Sequence, residues 1–134
     1  MIRLLEKRDK MKSIVKFIKT DIELENIFMI DVDDYNLEVF IPSLSHAINY
    51  DIVYAVDIEA EVFDEYVVEE SEETPMLRKI DDSLKYEIIG LLMDGSIKVN
   101  RWTFEDEFLK SDFGYLDGKI VKWKVDRLNL YFEE

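Results

Sequence analysis

Asp94-Gly95 stands between two runs rich in strand formers, Tyr86–Met93 and Ser96–Trp102. Asp-Gly takes the positive φ pair of a two-residue hairpin turn at little steric cost, so this is the strongest local strand signal in the chain. The chain has only four glycines and two prolines. A second Asp-Gly, at 117–118, precedes a stretch in which Val121, Trp123 and Val125 alternate with Lys122 and Lys124. Together these turns commit the last third to antiparallel pairing. Ile97 and Val99 occupy one phase and Trp102 and Phe104 the other, which predicts a bulge near Asn100–Arg101. Thr103 with Asp106 resembles a capping pair opening a short helix over 104–110. Leu128, Leu130 and Phe132 close the chain as packing residues.

Earlier in the chain, Asn26–Phe40 reads as a hairpin, with turn chemistry at Asp33-Asp34-Tyr35-Asn36 and Pro42 ending the second strand. Ser43 is placed to cap a helical turn from His46 to Tyr50. From Ile52 to Val62 apolar residues alternate with Asp57, Glu59 and Glu61, which reads as a strand. The competing helical period of Val56, Ala60, Phe63 and Val67 is outweighed by the β-branched and aromatic content of 52–58. Glu69–Pro75 reads as a solvated loop. Met11, Ile14, Val15 and Ile18 fall at helical spacing, with Lys7, Lys10, Lys12, Lys16 and Lys19 largely off that face, which predicts an N-terminal amphipathic helix over 3–19. The expected fold is therefore α+β: one domain, residues 1–134, with that helix packed on an antiparallel-rich sheet of five or six strands.

The 134 residues are 48% hydrophobic and 13% aromatic, enough for a core and too apolar for a disordered chain. Cysteine is absent, so disulfides and thiolate chemistry have no carrier. The first ten residues lack the apolar run of a signal peptide, and no 18-residue apolar segment offers a membrane span. The expected compartment is the cytoplasm. No cofactor is called for, since no phosphate-cradling glycine loop is present. The single histidine, His46, is flanked by Ser43 and Ser45 but has no glycine-framed nucleophile elbow beside it, so the expectation is a protein without enzymatic activity. Asp31–Asn36 gathers oxygen donors. It lacks the sixth-position glycine and twelfth-position glutamate of a calcium loop, and no metal is assigned. Lys119, Lys122, Lys124 and Arg127 around Trp123 read as a solvent-facing strand edge that discourages edge pairing.

Charge is the other organising feature. Residues 20–77 hold seventeen acids and no Lys or Arg, whereas residues 1–19 carry seven bases and two acids. The overall charge of −14 repels nucleic acid and anionic membranes. Solubility is served equally well by mixed signs, and like charges on one face cost stability. That cost is relieved if a basic partner protein covers the face. The candidate partner-binding residues are Asp57, Glu59, Glu61, Asp64, Glu65, Glu69, Glu70, Glu72 and Glu73, with Asp31, Asp33 and Asp34. The leading expectation is an immunity-type inhibitor neutralising a basic, nuclease-like partner, because complementary charge speeds association. Two others stand beside it: a DNA-mimicking antirestriction or anti-defence protein, and a non-enzymatic structural or assembly component of a phage or larger complex. Acids two apart on a strand are about 6.7 Å apart, against one charge per roughly 1.7 Å of duplex axis. A single row is thus too sparse for mimicry.

Overall fold

The computed structural model describes residues 13–20 and 24–133. Eleven strands follow one another there: β1 Ser13–Ile18, β2 Ile27–Val32, β3 Tyr35–Phe40, β4 Val53–Glu61, β5 Val67–Glu70, β6 Met76–Lys79, β7 Tyr86–Met93, β8 Ser96–Val99, β9 Trp102–Glu105, β10 Ile120–Val125 and β11 Arg127–Phe132. Between β9 and β10 lie a five-residue helix, α1 (Glu107–Ser111), and a 3-10 turn, Gly114–Leu116. By their contacts the residues divide into two compact units. One is Lys12–Glu61 with Arg127–Glu134; the other is, among the described residues, Val62–Asp126.

The first unit is a closed five-stranded barrel in the order β1-β2-β3-β11-β4. In β1, Ser13, Val15 and Phe17 point inward while Ile14 and Lys16 are exposed, the period of two that a half-buried strand needs. β2 and β3 pair with Ile30 opposite Leu37, across a two-residue turn in which Asp33 takes φ 54. β4 buries Val56 and Ile58, which sends Asp57, Glu59 and Glu61 to the outer wall. Closure needs β11, which lies antiparallel to β4 and parallel to β3, with Asn129 opposite Phe40. This is a Greek-key barrel of the OB type, with its fifth strand displaced along the chain by the second unit. The chain leaves the barrel at Glu61 and re-enters at Arg127, which are direct cross-strand partners. The barrel hairpin therefore closes whatever the length of the insertion. Phe17, fully buried, packs edge-on against Phe28 and Tyr54 with centroids 5.6 and 5.4 Å away. The β3–β4 connection is tied to that end. The His46 ring lies 5.1 Å from that of Phe132, and the Asn49 amide donates to the Tyr54 hydroxyl at 3.0 Å.

The second unit is a six-stranded antiparallel sheet built around β7. β10 pairs along one edge of β7, while β6 and β8 share the other. β7 is largely apolar, with Ile88, Ile89 and Leu92 fully buried. Gly90 permits the β8 strand to close over it: a Cβ there would meet the Lys98 carbonyl oxygen at 2.3 Å. At the β7–β8 turn Asp94 and Gly95 both take positive φ, 49 and 81, as the Asp-Gly signature requires.

Several expectations are corrected. The fold is nearly all β, not α+β, and Ser13–Ile18 is a barrel strand, not the second half of an amphipathic helix; residues 3–12 of that expected helix lie outside the described set. The apolar spacing fits both periods locally, but Ile14-Val15 and Phe17-Ile18 are β-branched and aromatic, and pairing with β2 and β4 decides the outcome. His46–Tyr50 forms no helical turn. Asn100–Arg101 is not a bulge but a two-residue turn, Val99 pairing Trp102 with Asn100 at φ 54. The expected 104–110 helix begins later: Phe104 and Glu105 belong to β9, and Asp106 caps α1 by accepting from the Phe108 amide. The lysine-bearing strand is no edge, since β10 lies between β5 and β7.

Candidate functional site

The acidic tract crosses from one unit into the other between Glu61 and Val62. Its acids divide accordingly. On the barrel, Asp57 and Glu59 stand two residues apart on the outer row of β4, Asp31 points outward from β2, and Asp33 and Asp34 form the exposed β2–β3 tip. Glu38 joins them on the outer side of β3, opposite Met29. Residues 12–61 and 127–134 together hold thirteen acids against four bases. On the second unit, Asp64, Glu65, Glu69 and Glu72 are exposed.

Glu61, Glu70 and Glu73 pair with basic residues of the chain. Glu61 accepts from Arg127 at 2.8 Å and from Asn129 Nδ2 at 2.8 Å, and the Arg127 guanidinium lies 3.8 Å over the Phe40 ring. Glu70 lies 3.4 Å from Lys119. Glu73 is held by Arg78 at 2.7 Å and Lys122 at 2.9 Å, and Arg78 also binds Glu87 at 2.7 Å. Hydrogen bonds from Arg78 and then Lys122 hold the Glu73 carboxyl at about 2, well below the usual carboxylate range. The same bonds raise both cations. The tract is one-sided along the chain yet partly neutralised in space, because its counter-charges come from residues after 77 that the fold brings beside it. Asp31 likewise has Lys16 as its cross-strand partner.

The other sequence candidates resolve into structural roles. Asp31 and Asn36 are ladder partners flanking the turn. Among the described residues no group of three or more His, Asp or Glu side chains is arranged to hold a metal ion. Ser45 Oγ lies 3.4 Å from His46 Nδ1 in the exposed connection, and the imidazole packs on barrel aromatics. Lys122 belongs to the Glu73 network. Tyr66 was not singled out by sequence. Burial pushes its phenol up, and its hydrogen bond to Asp106 Oδ2 at 2.9 Å adds to the shift.

Sequence reasoning also misses a cleft of about 470 Å³ in the barrel unit. It opens between the β1–β2 and β3–β4 connections, with Ile18, Ile27, Met29, Leu44 and Ile48 among its apolar lining and Glu25 on its polar side. Asn26, at φ 63, staples the two connections: its amide Nδ2 donates to the Ile41 carbonyl at 2.9 Å, and its own carbonyl accepts from the Ile41 amide at 2.8 Å. One signal was available. Ile27-Phe-Met-Ile30 is apolar at every position, so a strand there must leave apolar side chains on its outer face.

The residues matched by the model of the family described as uncharacterised conserved protein UCP019853 are 11–133. The chain belongs to that family. The match spans β1 through β11, and so takes in both units. No curated protein and no solved structure matches the chain. Among the described residues, no helix is long and apolar enough to cross a membrane.

Proposed function

We propose that this is a cytoplasmic binding protein without enzymatic activity, which takes a basic partner protein on the acidic outer wall of its barrel. One observation carries the reading. The outer wall of the barrel presents Asp31 and Glu38 on the paired strands β2 and β3, with Asp33 and Asp34 at their tip, and Asp57 and Glu59 on β4, which β1 separates from β2. OB-type barrels often carry nucleic acid strands, but such sites pair aromatic platforms with a basic groove. An acidic wall repels phosphate, so the analogy of fold is not followed to that ligand.

Neutralisation of a nuclease-like basic partner fits this wall better than duplex mimicry. The β4 row offers only Asp57 and Glu59 once Glu61 is paired. That leaves charges about 6.7 Å apart against roughly 1.7 Å per charge along a duplex. The assembly-component reading draws support from one feature of the second unit, where Tyr115 is 73% and Phe108 47% exposed.

The test is affinity capture from the source cells with the parent protein and with a variant carrying Asp31→Lys, Asp57→Lys and Glu59→Lys. A basic protein captured by the parent and lost by the variant is the expected result. An unchanged set of captured proteins overturns the proposal. Competition by duplex DNA for that partner separates mimicry from plain complementarity, because only a mimic must occupy the duplex channel.

A further inference from the structure

The cleft and the acidic wall share strand β2. On its outer face Ile27 and Met29 line the cleft, and Asp31 follows one outward position further along. Glu38 stands directly across from Met29 on β3. Apolar lining thus passes into acid within about 6.7 Å, the spacing of alternate residues on a strand. Glu25, on the other flank, gives the cleft a second acidic border. The lining differs from the barrel core. Val39, Val56 and Leu130 are fully buried, whereas Ile18, Ile27, Met29, Leu44 and Ile48 are all only half-buried. A volume of about 470 Å³ admits one or two large apolar side chains. β2 is paired on both sides, so no open edge invites an added strand, and recognition must run through side chains.

We propose that this cleft seats the apolar anchor of a basic amphipathic segment of the partner protein. An apolar side chain enters between Met29 and Ile48, and flanking Lys or Arg residues meet Asp31 and Glu38 on one side and Glu25 on the other. The inference rests on the acidic-wall reading and names the partner's chemistry. An uncharged apolar ligand would make no use of the acidic borders, and a purely cationic segment would leave the cleft unfilled. Burying one Leu-sized anchor supplies the affinity, while the charges supply orientation and association rate.

The test uses three ten-residue peptides with the full chain: one of Leu and Lys, one with every Leu replaced by Ser, and one with every Lys replaced by Ser. Affinity is read by fluorescence anisotropy, and methyl shifts of Met29, Leu44 and Ile48 by NMR. The Leu/Lys peptide should bind at least tenfold more tightly than either other, with shifts at those three methyls. Ile48→Asp, in the β3–β4 connection, should abolish that tenfold advantage, with Lys/Ser binding no weaker than to the parent. The methyl shifts need no variant, so an Ile48→Asp protein that fails to fold does not stall the test. Equal binding of the Leu/Lys and Lys/Ser peptides, without methyl shifts, overturns the cleft and leaves the wall standing. Equal binding of the Leu/Lys and Leu/Ser peptides overturns the cationic partner. No binding by either Lys-bearing peptide overturns the cleft and counts against the wall as well.

Discussion

Gly90→Ala tests the packing of the inserted sheet at its tightest point. Gly90 sits on β7 with Val121 of β10 on one side, and a Cβ added to it meets three atoms of β8. These are the Lys98 carbonyl oxygen at 2.3 Å, Val99 Cγ2 at 2.8 Å and Ile97 Cγ2 at 2.9 Å. Ile97 and Val99 are fully buried, so neither can swing into solvent. The nearest atom is backbone, held in the β7–β8 ladder through Leu91 and Lys98. Relief therefore requires moving a strand rather than a rotamer. Overpacking of one methyl in a tight core costs about 1–3 kcal/mol, and a backbone obstacle places this site at the upper end, about 3 kcal/mol. With roughly 3–5 °C per kcal/mol for a chain of this length, the midpoint of thermal unfolding should fall by about 10 °C. Gly114→Ala is the matched control, because nothing lies within 4 Å of its added Cβ. It should stay within about 0.5 kcal/mol of the parent, as surface substitutions do. Calorimetry of both variants decides the matter. Equal midpoints for Gly90→Ala and Gly114→Ala would refute the close approach of β8 over β7.

Two further substitutions probe the second unit. Asp106 both caps α1 and accepts from Tyr66, so Asp106→Ala should cost about 1 kcal/mol for the cap and a further 1–3 kcal/mol for the stranded, half-buried hydroxyl. Tyr66→Phe alone should cost only about 1 kcal/mol, and denaturant midpoints compare the two. Glu73 has its folded carboxyl depressed to about 2, against 4.5 for the free group. Its ion pairs with Arg78 and Lys122 therefore contribute fully above pH 4.5, and that contribution is lost as pH falls toward 2. Glu73→Gln should shrink the stability difference between pH 7 and pH 3, measured by urea unfolding; an unchanged acid limb would contradict the network.

Local turn chemistry made the hairpins readable. Asp33-Asp34 and Asp94-Gly95 carry the positive φ residues that join β2 to β3 and β7 to β8, and such turns are encoded within four residues. The alternation through β4 was readable for the same reason, since one face is core and the other solvent. What failed was non-local. Ser13–Ile18 looks helical until β2 and β4 are beside it. The exposed-edge reading of Lys122 and Lys124 fails because β5 pairs with β10 from more than fifty residues away in the chain. The acidic face was legible as composition, but the pairing of Glu61, Glu70 and Glu73 required knowing where Arg127, Lys119 and Arg78 end up. The cleft was hidden because much of its wall comes from Thr20, Leu24, Glu25 and Asn26 before β2 and from Leu44, Ala47, Ile48 and Tyr50 after β3, residues with little strand or helix character to give them a period.

The central claim is that the barrel wall steers a basic partner electrostatically, and the association rate constant measured against ionic strength tests it most directly. For the captured partner, the rate should fall at least tenfold between 0.01 M and 0.5 M salt, where the screening length contracts from about 30 Å to a few ångströms. The Asp31→Lys, Asp57→Lys, Glu59→Lys variant should associate slowly at all salt concentrations, with that dependence lost. An association rate indifferent to salt, or equal for parent and variant, would contradict the account.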